Sequence, residues 1–174
     1  EQIPQQTLEE CEIPISNGHL YTTGEYIITE TFSHCMKSVD LYLNTVNRID
    51  VPLNNQTLAH LHTLTVNDTL DEKSIENLMT YNAHLTVLGT QVPSWLLENI
   101  DSLEAASISF PEINAITASE GTILSQFKGK RLSLNSVQTL SKREAQTFAS
   151  YPHNLELKGI QNLKSNAFAA LMTQ

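Results

Sequence analysis

The chain has 174 residues, of which 40% are hydrophobic, and a formal net charge of −9 at pH 7. That length and apolar content suit one domain with its own core, or one continuous repeat array, and do not suit two independent domains. The acidic balance opposes a phosphate backbone, so neither nucleic-acid nor anionic-membrane binding is expected, and no run reaches the roughly 18 to 20 consecutive apolar residues of a membrane-spanning helix. Charge is also unevenly spread. Residues 1–35 carry six Glu and no Lys or Arg, and residues 68–120 carry nine acids against Lys73. From Lys128 onward, Lys128, Lys130, Arg131, Lys142, Arg143, Lys158 and Lys164 face only Glu144 and Glu156. An electrically bipolar molecule is expected, read either as a drift of solvated surface charge or as a basic end that docks an acidic partner or a second copy.

Residues 1–40 come first and carry no repeat. Residues 1–6 lack signal-peptide character, and because the chain does not begin with Met, the favoured reading is that a leader has been removed. Gly18 and Gly24 punctuate the segment, and Tyr26 to Phe32 is β-prone. A hairpin of residues 20–21 with 26–31 is therefore expected, as part of an N-terminal β cap over the first repeat. Both cysteines, Cys11 and Cys35, fall in this segment. A disulfide between them would staple the cap, contribute roughly 3 kcal/mol in the chain-entropy model and imply an oxidising compartment; the alternative is two independent thiols.

A period begins at residue 41. Leu132-Ser-Leu134-Asn-Ser-Val137-Gln-Thr-Leu140 and Leu155-Glu-Leu157-Lys-Gly-Ile160-Gln-Asn-Leu163 share apolar residues at offsets 0, 2, 5 and 8. Ala145 and Phe148 continue the match against Phe168 and Leu171 at offsets 13 and 16. The same opening recurs at Leu41, Leu64, Leu85 and Ile108, so six units start near 41, 64, 85, 108, 132 and 155. Such spacings belong to the shortest strand-plus-helix repeats. Offsets 0 and 2 alternate as an inward strand face does, while offsets 13 and 16 are three apart, as neighbours on one helix face are. Parallel stacking of the strands is expected, because the connection between strand and helix is too short to fold back antiparallel, and several units must stack because one alone cannot bury its Leu and Phe. Trp95, in the irregular third unit, reads as core filling.

Residues 41–174 resemble divergent bacterial leucine-rich-repeat proteins. The resemblance implies an α/β solenoid with short parallel strands on a concave face and helices on the convex face. This chain departs from the family pattern where Val46, Ile113, Val137 and Ile160 stand at the place of the family's Asn, so no buried Asn ladder is expected. The family's customary use of the concave face implies a protein-binding platform.

Motifs for chemistry are missing. No G-x-x-x-x-G-K-[ST], G-x-G-x-x-G or G-x-S-x-G occurs, so neither a nucleotide loop nor a nucleophile elbow is read; no enzyme activity and no cofactor are expected. His60-Leu-His62 is the one close histidine pair, spaced to put both rings on one side of a strand. Without a second ligand cluster it reads as exposed histidines at a turn, and no metal is expected. The outward strand positions supply the candidate binding face: Tyr42, Asn44, Thr65, Asn67, His84, Thr86, Ser109, Arg131, Ser133, Asn135, Glu156 and Lys158. A second candidate is the C-terminal edge, with Phe168 and Leu171, which has no polar cap. These features give a secreted, periplasmic or cell-surface module that binds a protein partner, with a homodimer through the C-terminal end as the alternative and a cryptic hydrolase as the third reading.

Overall fold

A computed structural model describes residues 19–21, 26–36, 40–54, 58–163 and 165–171. It is a mixed α/β structure. The strands are β1 His19–Tyr21, β2 Tyr26–Ile28, β3 Asp40–Ile49, β4 Leu61–Val66, β5 His84–Val87, β6 Ser107–Ser109, β7 Arg131–Ser133, β8 Thr139–Leu140, β9 Asn154–Glu156 and β10 Asn162–Leu163. The helices are α1 Glu30–Cys35, α2 Glu72–Leu78, α3 Ser94–Asn99, α4 Ala118–Leu124, α5 Lys142–Thr147 and α6 Ser165–Leu171.

Among the described residues every strand pairing is parallel. The main sheet runs β1, β3, β4, β5, β6, β7, β9 in chain order, with β2 beside the far half of β3, and β8 pairs separately with β10. Parallel neighbours need a crossover between them, and α2 to α5 each lie in one. The starts of α2, α4 and α5 are capped by side chains, while α3 begins after Pro93 with no side-chain cap. Asp71 Oδ1 accepts from Ser74 N at 2.7 Å, and Thr117 with Glu120 and Ser141 with Glu144 form reciprocal capping boxes.

The register places Leu64, Leu85, Ile108, Leu132 and Leu155 on adjacent strands as direct partners. The first rung differs from the expected alignment at Leu41, because Leu43 is the partner of Leu64 and Leu41 that of Leu61. The register shifts between Leu41 and Tyr42, with Tyr42 facing Thr63, so β4 carries His62 as an extra residue there.

The expected hairpin is not formed. β1 and β2 both pair in parallel with β3, at its first and second halves, and residues 30–31 open α1 rather than prolonging a strand. β1 joins the sheet at the start of β3, where Leu20 lies opposite Leu41. The expected disulfide lies outside the described residues, Cys11 entirely and Cys35 in its side chain.

Among the described residues one large core joins strands and helices. Strand residues Leu43, Leu64, Leu85, Ile108 and Leu132, with Phe110 and Leu134 just past β6 and β7, share it with helix-side residues Leu78, Leu96, Leu124 and Phe148, all 0% exposed. Among the described residues the helices thus pack against one face of the sheet. Val46, Ile113 and Val137 are buried, and Ile160 is half-buried. Trp95 is also buried and donates through Nε1 to Asp68 O at 2.8 Å. A set of buried residues precedes β4, β5, β6, β7 and β9 in the chain: Leu58, Tyr81, Leu103, Phe127 and Tyr151. Its tyrosines satisfy their hydroxyls on backbone carbonyls, Tyr81 on His84 at 2.9 Å and Tyr151 on Gly129 at 2.8 Å. Burial raises both phenols, that of Tyr151 to about 12.

The last unit departs from the repeat. Ala145 and Phe148 are fully buried as the period requires, whereas in α6 Ala167 and Ala170 are the buried pair and Phe168 is 54% exposed. Ala145, Ala167 and Ala170 pack as a small cluster of their own, with Leu171 against it. Small side chains let α5 and α6 approach closely, and that contact fixes the phase of α6 one residue away from the expected one.

Candidate functional site

The face of the sheet opposite the helix-packed core is built from residues that alternate with the buried rungs. Two rows cross it. The first runs Tyr42, Thr63, His84, Ser107, Arg131 and Asn154, each the direct partner of the next. The second runs Thr65, Thr86, Ser109, Ser133 and Glu156 in the same way. Eight of the predicted binding residues therefore stand in these two rows: Tyr42, Thr65, His84, Thr86, Ser109, Arg131, Ser133 and Glu156. Most are half-buried, Ser107 and Ser133 are buried, and Arg131 is exposed.

The remaining candidates flank the rows. Asn67, just past β4, donates through Nδ2 to Asn47 Oδ1, and Asn135 and Lys158 follow β7 and β9. Asn44 lies in β3, and its side chain is outside the described residues. Phe168 and Leu171 sit on α6, away from the rows.

Short side chains in register satisfy one another across the strands. His84 Nδ1 lies 2.6 Å from Ser107 Oγ and its Nε2 lies 3.4 Å from Thr86 Oγ1. Burial lowers the proton affinity of His84; the charge of Arg131 adds to that and Glu156 opposes it. In its neutral form the imidazole can accept from one of these hydroxyls and donate to the other. Ser107 and His84 have the hydrogen-bonded contact of a nucleophile and base. Yet the neighbouring backbone donor, Ala106 N, is spent on Ala83 O at 3.0 Å, which leaves it no role as an oxyanion donor.

The β7 and β9 end of the face is charged. Asn135 Nδ2 donates to Ser133 Oγ at 2.8 Å and to Glu156 Oε2 at 3.4 Å, while Asn135 Oδ1 accepts from Lys158 N at 3.0 Å. Arg131 Nη1 and Lys158 Nζ each lie 3.7 Å from a Glu156 carboxylate oxygen. Partial burial pushes the Glu156 carboxyl upward, but the hydrogen bond from Asn135, the charges of Lys158 and Arg131 and a hydrogen bond from Ser133 outweigh it, so the carboxyl titrates below its ordinary range.

No family model, curated protein or solved structure matches the chain. The functional reading therefore rests on the chemistry of this face and of the groups around it.

At the opposite end of the face a third group gathers. His62 Nε2 lies 2.8 Å from Asp40 Oδ1, and His60 Nδ1 lies 3.6 Å from the same oxygen. The His60–His62 spacing was visible in the sequence, but the third donor was not. Asp40 stands on the neighbouring strand, and only the register of β3 against β4 brings it to the pair. A separate surface hollow of about 760 Å³ precedes β6 and β7, lined in part by Asp101, Glu104, Lys128 and Lys130. Lys128 Nζ donates there to Asp101 O at 2.7 Å.

No helix of the described residues is long and apolar enough to cross a membrane.

Proposed function

We propose that the chain is a leucine-rich-repeat-like solenoid acting as an extracytoplasmic protein-interaction module, which binds a protein partner through the polar face of its sheet. The observation that carries this reading is the second row. Thr65, Thr86, Ser109 and Ser133 put four small hydroxyl-bearing residues side by side on consecutive strands, on the face opposite the helix-packed core of the described residues. Such a row is flat and already ordered by the sheet, so a partner that docks on it meets donors and acceptors that lose little further freedom. Arg131, Glu156 and Lys158 at one end would set its orientation through charge. No reaction belongs to this reading, and the extracytoplasmic location rests on the cysteine pair in the sequence.

A second reading is self-assembly through the last unit. Leu132, Leu134 and Val137 are fully buried, while their counterparts Leu155, Leu157 and Ile160 are only half-buried and Phe168 is exposed. A second copy would cover that edge.

One set of variants separates the readings. The immobilised protein is expected to capture its partner from the native extracellular or periplasmic milieu, and Thr86→Lys or Ser109→Lys should weaken capture at least about tenfold, a loss of roughly 1.4 kcal/mol. Glu98→Lys, on an exposed position of α3, should leave capture unchanged. Equal capture by all three variants would move the binding site off the sheet face. Light scattering that finds a concentration-dependent dimer, lost in Leu171→Asp, would favour self-assembly instead.

A further inference from the structure

We propose that Asp40, His60 and His62 form a binding site for a divalent transition-metal ion of the zinc type. One ligand atom from each of the three lies within 4.8 Å of the others. A tetrahedral ion with bonds near 2.0 to 2.1 Å holds neighbouring donors about 3.3 Å apart. The Asp40 oxygen already sits 2.8 Å from His62 Nε2 and 3.6 Å from His60 Nδ1, on either side of that value. Small side-chain rotations suffice to close the set, and all three residues reach solvent, so an ion needs no opening of the fold to enter.

The backbone around the three donors is fixed. Leu61, between the histidines, is buried, and Leu41 N, next to Asp40, donates to His60 O at 2.9 Å. The Tyr42 ring lies 5.4 Å from the His62 ring at a tilt of 31° and limits its rotation. A bulge in β4 places His62 beside Asp40, and a bulge that re-aims a side chain is a recurrent device next to functional sites.

Donor chemistry selects the ion. Two imidazoles and one carboxylate suit zinc, copper or nickel, whereas magnesium and calcium prefer oxygen ligands throughout. Three protein donors leave one tetrahedral position for water or for a ligand atom of an incoming molecule. The site stands whether or not the sheet face binds a protein.

Calorimetric titration of the EDTA-treated chain with zinc chloride, near neutral pH in a non-chelating buffer, is expected to find one equivalent bound. His60→Gln, His62→Gln and Asp40→Asn should each weaken binding at least about tenfold, since even residues that only support metal ligands cost 10- to 100-fold when lost. His153→Gln should change nothing, and magnesium and calcium should give no signal. Cobalt, used in place of zinc, should give the intense visible absorption of a tetrahedral ion in the wild type and lose it in His62→Gln. All variants alter exposed or half-exposed side chains, and their circular dichroism should match the wild type. The proposal is overturned if zinc does not bind at millimolar concentration, or if it binds equally to the wild type and to the folded His60→Gln and His62→Gln variants.

Discussion

Leu134→Ala is expected to lower the unfolding free energy by about 2 to 5 kcal/mol, the range for deleting a fully enclosed Leu side chain. Leu134 is 0% exposed and belongs to the core that also holds Leu132, Val137 and Phe148. Its backbone is held in place as well, because Leu134 N donates to Glu156 O at 2.8 Å. The void left by truncation would therefore close poorly. The same change at the equivalent position of the next unit, Leu157→Ala, should cost less, because Leu157 is only partly buried and some of its side chain already meets water. Urea denaturation of the two variants checks both statements. Equal losses would mean that the last unit is packed as tightly as the one before it.

Asn77→Leu is expected to destabilise by about 1 to 3 kcal/mol, the cost of leaving a buried backbone acceptor without its partner. The reason lies in unequal strand lengths. β3 runs on to Ile49, but its pairing with β4 ends at Val46 and Val66. Two side chains of α2 take over where β4 stops: Ser74 Oγ accepts from Ile49 N at 2.8 Å and Asn77 Nδ2 donates to Ile49 O at 2.8 Å. Both Ser74 and Asn77 are buried, so water cannot replace either bond cheaply. Glu76→Gln, one residue away on the exposed side of the same helix, should stay within about 0.5 kcal/mol of the wild type. Thermal or chemical denaturation of the pair measures the difference directly.

The period of the apolar residues made the central rungs legible. Leu64, Leu85, Ile108, Leu132 and Leu155 follow from a repeat in which each opening must bury the same two offsets, and eight residues of the polar face follow from the alternation between them. Features set by backbone irregularity did not follow. The first rung falls on Leu43 because His62 is an extra residue in β4, and no propensity distinguishes a bulged residue from a paired one. β1 and β2 read as a hairpin because two β-prone runs flank a Gly; their true partner is β3, a strand long enough to take both. In α6 the period pointed to Phe168 and Leu171, but close contact between alanines decides the packing and turns Phe168 outward.

The candidate site divides along the same line. Its polar rows were readable because strand geometry alone puts Thr65, Thr86, Ser109 and Ser133 on one side. The Asp40, His60 and His62 cluster was not, because its third member is joined to the pair by sheet register and by nothing in the local spacing. The buried tyrosines were missed for a different reason. Tyr81 and Tyr151 stand before their strands where other units have Leu58, Leu103 and Phe127, and so mixed a set carries no readable period.

The measurement that bears most directly on a polar face carried by stacked parallel strands is a nuclear Overhauser spectrum of the labelled protein in solution. Backbone contacts are expected between Thr65 and Thr86, Thr86 and Ser109, Ser109 and Ser133, and Ser133 and Glu156. Thr65 and Ser109, two strands apart at about 9.6 Å, should show none. Contacts joining any of these strands to a different neighbour, or pairing that runs antiparallel, would contradict the rung order on which the binding face depends.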